Sequence, residues 1–336
     1  MATNPVSVSP SINLQQERMN MRSTIETELF SDRVKMFHLW PGGNDTYICI
    51  APTQKRHDYI AANRAILSQY SFMEQGGFVE KPTDAVVGRL QMAGGEFCGN
   101  ATRSLGALIA SDYFGKQEIA GSFDYSKIHK YDQNNIIFEV ETSGTLEKPR
   151  LQVTKINDDY NVSVVLNLIK NLDQVTNKLF QYRGKNIPVS VVKMDGITHV
   201  LVSEKELAFS PDPDEYRSRI DNLLNQLDLT KEAAVGLITY NKEGANVVID
   251  PVVWVAAVST CFYETSCCSG SIALATSLWG TQDMDIMKVE IIQPSKIPLT
   301  IEITGSRINR GINKIDASGI VKVKGNLNDS GQPSKI

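Results

Sequence analysis

Two stretches of similar design decide the fold: residues 98–110, CGNATRSLGALIA, and residues 267–279, CCSGSIALATSLW. Each begins with a cysteine turn and continues in small and aliphatic residues, which predicts helices over Asn100–Ala110 and Gly270–Trp279. A helix that is apolar almost all round belongs inside a protein, wrapped by sheet. The two cysteine turns are separated by about half of the chain, so the sequence indicates a coarse duplication.

Around these helices, short runs of β-branched and aromatic residues alternate with turn signals, which is typical of strands. The runs are Thr46–Ala51, Val86–Gln91, Ile136–Thr142, Leu151–Lys155, Val162–Leu166, Ile187–Lys193, Thr198–Val202, Ala234–Tyr240, Asn246–Val255, Val289–Gln293, Leu299–Ile303 and Gly319–Lys324. Mixed amphipathic patterns predict surface helices at Asp58–Gln69 and Tyr216–Leu227. The predicted class is α/β, with two pseudo-symmetric halves, each a mainly antiparallel sheet or barrel around a central helix.

The predicted boundaries follow from composition. Residues 1–33 are polar and lack a strong period, which predicts a flexible N-terminal extension. A polar turn at Ile156–Tyr160 marks the division between the halves. The first half is expected to comprise 34–157 plus about 298–325, where the last strands return to it, and the second half 158–297.

The overall composition excludes several classes of protein. Of 336 residues, 42% are hydrophobic and 21% charged, and 34 Lys and Arg against 38 Asp and Glu give a net charge of -4. This balance argues against partners with a nucleic acid or anionic membrane surface. No apolar run approaches the ~20 residues that span a bilayer, and the N-terminus lacks a secretory pattern, so a cytoplasmic location is expected. Five cysteines, two of them adjacent, make a poor disulfide framework.

The cysteine turns predict acid/base chemistry. A helix N-terminus presents free N–H groups and a positive dipole end, which bind a carboxylate and lower the pKa of a nearby thiol. Two thiols flanking one anion could invert a stereocentre, one removing a proton while the other delivers one to the opposite face. Neither a lysine in a cofactor-binding context nor a glycine-rich phosphate loop is evident. The expected catalysis therefore uses no cofactor, pyridoxal phosphate included, and no metal.

The chain resembles the diaminopimelate epimerase superfamily, whose racemases and epimerases work without a cofactor through two cysteines. The resemblance runs from about Val34 to Lys324 and has four anchors. They are FHLWPGGND at 37–45, CGNATR at 98–103 matching C-G-N-x-x-R, GITH at 196–199 resembling G-N-P-H, and ETSCCSG at 264–270 resembling an acidic residue before C-G-[TS]-G. Asn246-Val247 is similar to a further family pair that contacts substrate.

This resemblance implies a set of site residues. Cys98 and Cys267 would be the catalytic acid/base pair, with an amino acid as the small-molecule substrate and a homodimer as a possible assembly. The residues implied in substrate binding are Asn44, Gly99, Asn100, His199, Asn246, Glu264, Cys268, Ser269 and Gly270. Glu264 would contact the substrate ammonium, whereas Arg103 is expected to anchor its helix. The choice between neighbouring Cys267 and Cys268 as second base favours Cys267, from the Cys-x-Ser-Gly spacing.

Departures from the family pattern narrow the range of expected substrates. The stretch Ser259–Thr265 lacks the arginine that holds a distal carboxylate, Ile197 replaces an asparagine, and Met92 stands where the family has another asparagine. Losing a planar carboxylate clamp and two amides disfavours a second amino-acid head group. The sequence is closer to racemases of single amino acids, histidine racemases among them, with Met92, Ile197 and Phe262 as candidate side-chain selectors.

Other functions remain open from the residues alone. The same fold could serve as a diaminopimelate epimerase or as a hydroxyproline epimerase or dehydratase, although the thiol at both positions favours inversion. A remote alternative is a non-catalytic metal-binding or redox protein using Cys261, Cys267 and Cys268, whose spacing matches no usual zinc pattern. Cys49 and Cys261 are otherwise expected to fill the core.

Overall fold

The computed structural model describes residues 34–50, 58–115, 119, 121–243, 246–306 and 308–327, so the predicted extension over 1–33 lies outside the described residues. The helices are α1 (Tyr59–Gln69), α2 (Gly99–Tyr113), α3 (Pro213–Gln226) and α4 (Cys268–Gly280). The strands are β1 (Lys35–Pro41), β2 (Thr46–Ile50), β3 (Gln75–Glu80), β4 (Arg89–Met92), β5 (His129–Lys130), β6 (Asn135–Glu139), β7 (Glu141–Thr142), β8 (Arg150–Ile156), β9 (Asp159–Leu166), β10 (Val175–Tyr182), β11 (Lys185–Met194), β12 (Ile197–Ser203), β13 (Ala234–Glu243), β14 (Asn246–Val255), β15 (Thr260–Tyr263), β16 (Ile286–Ile292), β17 (Pro298–Ser306) and β18 (Gly311–Asn326).

The α2 and α4 helices are buried on nearly every side, as their sequences predict. Every α2 residue from Gly99 to Ser111 is buried, and in α4 only Ser277 and Gly280 are partly exposed. Gly106 lets α2 approach the sheet, since a Cβ there would lie 3.1 Å from both Leu151 and Val162. The two helices belong to one continuous hydrophobic core, which holds their N-termini in fixed positions.

The other two helices lie over separate hydrophobic clusters. In α1, Ala62 and Ile66 pack with Tyr47 and Phe78. In α3, an N-capping aspartate followed by proline at the first helical position starts the helix. Its buried residues pack on the inner strands of the β10–β13 region. None of the helices in the described ranges is long and apolar enough to cross a membrane.

The described strands form one mixed sheet of 18 strands in which antiparallel pairs dominate. Parallel pairing occurs between β2 and β3, β4 and β7, β12 and β13, and β14 and β16. The α/β class is therefore confirmed. The strands around α2 include β1, β2, β8, β9 and β18, whereas those around α4 include β11, β12, β13, β16 and β17.

Strand pairing crosses the predicted boundary between the halves. The β9 strand, placed by sequence in the second half, pairs with β8 and β18 and packs on α2. The β17 strand, expected to return to the first half, instead pairs with β16 and packs on α4. Of the last two strands, β18 is the one that returns to the first half, where it pairs with β1 and β9. It also pairs with β17, which precedes it in the chain. The polar turn at Ile156–Tyr160 is the hairpin that joins β8 to β9 within one layer. The sequence suggested a boundary at this turn because hairpins and linkers contain the same kinds of turn residue.

Candidate active site

The Cys98 side chain caps the N-terminus of α2. Its backbone is extended (φ -130°, ψ 110°), and its Sγ accepts a hydrogen bond from the Ala101 N–H at 3.4 Å. The Thr102 hydroxyl donates to the Cys98 carbonyl at 2.8 Å. A thiol in the N-cap position satisfies one of the free N–H groups of the first turn, a role that serine or aspartate usually fills.

The Cys267 side chain caps α4 in the same way. Its φ and ψ are -136° and 104°, and its Sγ accepts from the Gly270 N–H at 3.4 Å. The Ser271 hydroxyl donates to the Cys267 carbonyl at 2.8 Å. The two cysteine turns therefore match in backbone conformation, in cap and in hydroxyl contact, whereas Cys268 occupies the first helical position, equivalent to Gly99.

The two helix N-termini meet at one cavity. A Cβ on Gly99 would lie 2.8 Å from the Cys268 Sγ, so glycine is what allows this approach. Both thiols line the cavity, together with five other residues that the sequence assigned to substrate binding: Gly99, Asn100, Glu264, Cys268 and Ser269. The three candidate selectors, Met92, Ile197 and Phe262, line it as well.

Four predicted binding residues lie outside this lining. Asn44 is buried behind it, and its amide donates to the Glu74 carboxylate at 2.7 Å. His199 is buried behind Ser269, and Gly270 contributes its N–H to the Cys267 cap. Asn246 stands at the exposed first position of β14, so the structure does not bring it to the cavity; a two-residue match to the family was too little to place it.

Five polar residues of the cavity lining were not predicted from the sequence: Asn63, Glu74, Gln75, Glu96 and Thr260. Glu96 precedes Cys98 by two positions. Side chains two positions apart in an extended chain point to the same side, so this spacing could have placed Glu96 at the site. No comparable sequence pattern predicts Gln75 and Glu74 at the site. Their position depends on the parallel pairing of β2 with β3, in which Thr46 is the partner of Gln75.

A chain of side-chain hydrogen bonds leads to Cys98. The Glu74 carboxylate accepts from the Asn44 amide, so the Asn44 carbonyl oxygen faces away from it. That oxygen accepts from Thr46 and from the Gln75 amide, each at 2.7 Å. Gln75 Oε1 is thereby left as an acceptor, and the Cys98 thiol donates to it at 2.9 Å. An acceptor at this distance favours the protonated form of the thiol.

A different set of contacts surrounds Cys267. The Ser269 hydroxyl lies 3.7 Å from its Sγ and 3.0 Å from His199 Nε2. Burial lowers the pKa of His199 to about 3, so the imidazole is neutral at physiological pH. If the neutral His199 Nε2 accepts the Ser269 hydrogen, the hydroxyl cannot donate that hydrogen to the Cys267 sulfur. If Nε2 instead carries the proton and donates it to the Ser269 oxygen, the hydroxyl hydrogen is free to point at the sulfur. The donating tautomer therefore supports an ionised Cys267.

Burial dominates the electrostatics of both thiols. It raises the pKa of Cys98 and of Cys267 well above the ordinary value, and the nearby Glu264 carboxylate raises both further. The cap N–H groups act in the opposite direction but do not prevail. The predicted fall in thiol pKa is therefore wrong for the free enzyme: the helix N-termini are present, but burial and Glu264 outweigh them.

The cavity holds three carboxyl groups of perturbed acidity. Burial raises the pKa of Glu74 and of Glu96 to about 7 each. Burial, and then the charges of Glu74 and Glu96, raise the pKa of Glu264 to about 8, while a hydrogen bond with Cys267 acts against this rise. Carboxyl groups that are partly protonated in the empty site ionise more readily beside a positive charge, so the cavity favours a guest that carries one.

The remaining cysteines and Arg103 lie around the site. Cys49 is buried in the cluster under α1, where burial raises its pKa to about 12, and Cys261 is partly buried on β15. Arg103 donates to the Ile320 carbonyl and contacts the Cys268 thiol from inside the core, as expected of a helix anchor. Within the described ranges, no three His, Cys, Asp or Glu side chains are grouped to hold a metal ion.

Comparison with known proteins identifies the family to which the chain belongs. The family described as histidine racemase CntK N-terminal domain matches residues 33–326. A histidine racemase from Fusobacterium nucleatum subsp. nucleatum is 25% identical over 67% of this chain and 72% of its own length.

Two crystal structures share the fold. A hydroxyproline epimerase from Agrobacterium vitis, with bound trans-4-hydroxy-L-proline, has a TM-score of 0.55 at 10% identity and covers 88% of this chain and 90% of its own. A probable proline racemase from Agrobacterium radiobacter K84 has a TM-score of 0.54 at 9% identity, with 90% and 94% covered. The family match covers most of the chain, and the prediction of a racemase or epimerase is confirmed. The chain belongs to the histidine racemase CntK N-terminal domain family, and it is an isomerase of the amino-acid racemase and epimerase class.

Proposed function

We propose that the protein inverts the α-carbon of an amino acid with Cys98 and Cys267 as its two acid/base groups and no cofactor. The observation that carries this proposal is the matched pair of thiol-capped helices whose N-termini open on one cavity. The helix N–H groups beyond the caps are donors for the substrate carboxylate, and they stabilise the charge that develops on it when the α-proton leaves.

The contacts of the two thiols assign their roles in one direction of the reaction. When the substrate ammonium lies beside Glu264, its positive charge offsets the carboxylate that raises both thiol pKa values. The cap N–H groups donate to both thiols at 3.4 Å and do not distinguish them. With Glu264 engaged by the ammonium, Cys267 also has the Ser269 hydroxyl as a donor, whereas Cys98 keeps the acceptor Gln75. Cys267 therefore acts as thiolate and Cys98 as thiol.

The reaction then transfers two protons. The Cys267 thiolate takes the α-proton, and the electron pair of the C–H bond stays on the substrate, delocalised into its carboxylate. The Cys98 thiol gives its proton to the opposite face of the carbon, which inverts the centre. The product leaves an enzyme with a Cys98 thiolate and a Cys267 thiol, and this form accepts the opposite enantiomer.

We propose histidine as the substrate. The family description and the Fusobacterium relative name histidine, and the cavity has the character expected for it. Carboxyl groups favour a cationic guest, while Val253, Val255 and Phe262 supply an apolar wall. The absence of an arginine from residues 259–265 disfavours a second carboxylate on the substrate.

We also infer two structurally related units, with limits that differ from those predicted by sequence. The first would comprise residues 34–166 together with β18, and the second residues 167–306. The distribution of strands around α2 and α4 and the matched caps support this division.

The test is incubation of the full-length protein with L-histidine in heavy water. We expect D-histidine by chiral chromatography and deuterium at the α-position by mass spectrometry. Cys98→Ser and Cys267→Ser should each lower racemisation by about 10²- to 10⁴-fold, because each lacks one proton-transfer group. Cys261→Ser is the matched control and should keep full activity.

Cys268→Ser decides between the neighbouring cysteines. We expect it to retain far more activity than Cys267→Ser, because Cys268 occupies the glycine position of the motif. Full activity in both Cys98→Ser and Cys267→Ser would overturn the two-thiol mechanism. Racemisation of other amino acids but not histidine would overturn the substrate alone.

A further inference from the structure

The backbone at Glu96 is held rigidly beside the catalytic cap. The Ser143 hydroxyl donates to the Glu96 carbonyl at 2.8 Å and accepts from the Met92 N–H at 3.0 Å. Two glycines with positive φ, Gly144 and Gly196, pack against the same segment so closely that a Cβ on Gly144 would lie 2.6 Å from the Glu96 carbonyl carbon. The Glu96 side chain is therefore carried on a fixed support, which a precise binding contact requires.

One oxygen of the Glu96 carboxyl, Oε2, has acceptor capacity that no group within hydrogen-bonding geometry fills in the described residues. The residue is 8% exposed, and its Oε2 is buried. Glu74 differs, because both of its oxygens accept hydrogen bonds, from Asn44 and from Thr265. An unpaired buried acceptor costs free energy, so Glu96 is stabilised by a guest that donates to it.

The surroundings of this oxygen define the shape of the guest. A Cβ at Gly94 would lie 2.5 Å from Glu96 Oε2 and 2.5 Å from a Val255 methyl, so the carboxyl reaches the wall formed by β14. Val253, Val258 and Phe262 continue that wall, with Met92 also lining the cavity. The result is an apolar compartment with one anionic acceptor beside it, which suits a flat ring that carries an N–H group.

We propose that Glu96 is the specificity-determining residue, whose Oε2 accepts the imidazole N–H of the substrate. This inference rests on the proposed function, since it assumes that histidine is the amino acid inverted. Glu264, which adjoins Cys267, serves the α-ammonium, and Glu96 serves the side chain. A site built to receive an N–H rejects analogues that lack it, because the acceptor is then left unpaired.

The acidity of Glu96 is consistent with this assignment. Burial raises its pKa to about 7 in the free enzyme, although hydrogen bonding from the backbone of Glu96 and Gly94 acts against this rise, so the group is only partly ionised at neutral pH. An N–H donor favours the ionised carboxylate, and the bound imidazole therefore converts a costly buried acid into a charge-assisted hydrogen bond.

The first test uses the unmodified protein and two substrates of similar shape. β-(4-Thiazolyl)alanine keeps a five-membered ring with one ring nitrogen but has no ring N–H. We expect kcat/KM for α-deuterium exchange to be about 10- to 100-fold lower for this analogue than for histidine. Equal values for the two substrates in the wild-type protein would overturn the proposal.

The second test uses variants of Glu96. In Glu96→Leu, kcat/KM for histidine should fall until the ratio between the two substrates approaches one. Glu96→Gln keeps an amide oxygen as acceptor and should retain an intermediate ratio. Glu206→Leu, at an exposed position after β12, is the matched control and should leave the wild-type ratio unchanged. A wild-type ratio in Glu96→Leu, or an equal loss for both substrates, would contradict a specificity role.

These outcomes separate the inference from the proposed function. If the wild-type protein does not exchange the α-proton of histidine, the proposed function fails. If it does, but the ratio of kcat/KM for histidine to kcat/KM for thiazolylalanine stays the same when Glu96 is replaced, only the inference about Glu96 fails. Thermal unfolding of each variant checks the fold, and the wild-type comparison stands even if Glu96→Leu does not fold.

Discussion

The Cys98 thiol and the Gln75 carbonyl oxygen are 2.9 Å apart, with the thiol as donor. The orientation of the Gln75 amide is fixed from Glu74 through Asn44, so the acceptor end faces sulfur. Cys267 lies beside the Ser269 hydroxyl instead, and its hydrogen-bond acceptor is the Glu264 carboxylate rather than an amide. The matched helix caps therefore stand in unequal surroundings, and in the proposed mechanism this inequality favours the protonated form of Cys98 when the first enantiomer binds.

Replacing Gln75 by leucine should remove the acceptor that stabilises the Cys98 thiol. The pH dependence of Cys98 alkylation by iodoacetamide, followed by peptide mass spectrometry, should then shift to lower pH. We expect kcat/KM to fall about tenfold and equally for both enantiomers, because racemisation has an equilibrium constant of one. Gln181→Leu, at an exposed position of β10 outside the cavity lining, is the matched control. An unchanged alkylation profile would refute the role given to Gln75.

Replacing Ser269 by alanine should weaken catalysis through Cys267. The variant loses the hydroxyl that lies between His199 and the sulfur, so the thiolate loses a donor. We expect kcat to fall about tenfold, the cost of one hydrogen bond to a charged group. Steady-state kinetics with both enantiomers measure the effect, and Ser218→Ala on α3 is the control. A rise in KM with unchanged kcat would instead mean that Ser269 only binds substrate.

Adding a methyl group at Gly99 should push the helix N-termini apart. The new Cβ would lie 2.8 Å from Cys268 Sγ and 2.9 Å from its Cβ. A displacement of about 1 Å between acid and base can cost about 10²-fold in rate, so Gly99→Ala should lose activity on that scale while remaining folded. Adding Cys268→Gly removes the clashing atoms and should restore part of the activity. A double variant no better than Gly99→Ala would show that the clash is not the cause.

Glu264 should make the protein less stable as pH rises. Its folded pKa of about 8 lies above the ordinary value of 4.5, so the folded state binds more protons than the unfolded state between these limits. Stability therefore declines with increasing pH in this interval. Relative to wild type, Glu264→Gln should gain about 1.4 kcal/mol per pH unit between pH 5 and 7. Urea unfolding at pH 5, 6 and 7 measures this difference, and parallel stability curves would contradict it.

Local patterns in the sequence predicted the four helices and the two cysteine turns that open the buried pair. A capped helix is determined within a few residues, so Cys98 and Cys267 could be matched from adjacent glycine, serine and small apolar positions. The four predicted helices all occur, and the β14 strand has the predicted limits. These elements depend on periodicity and caps, which are properties of short segments.

Features set by long-range pairing were missed. The segment Gln75–Glu80 contains two adjacent glycines and shows no strand alternation, yet β3 pairs with β2 and carries Gln75 to the thiol. The positions of β9 and β17 likewise depend on partners distant in sequence. The thiol pKa was predicted in the wrong direction because the helix dipole is local, whereas burial and the Glu264 charge arise only from the folded cavity.

The pairing of β1 with β18 has a consequence for biosynthesis. Phe37, near the start of the described chain, faces Asn326, near its end. During translation the layer around α2 therefore lacks its closing strand until β18, which follows the whole segment containing α3 and α4, has left the ribosome. Nascent chains must keep the open edges of β1 and β9 from associating with other strands for that time. We expect ribosome-bound fragments ending before residue 311 to be sensitive to protease and dependent on chaperones.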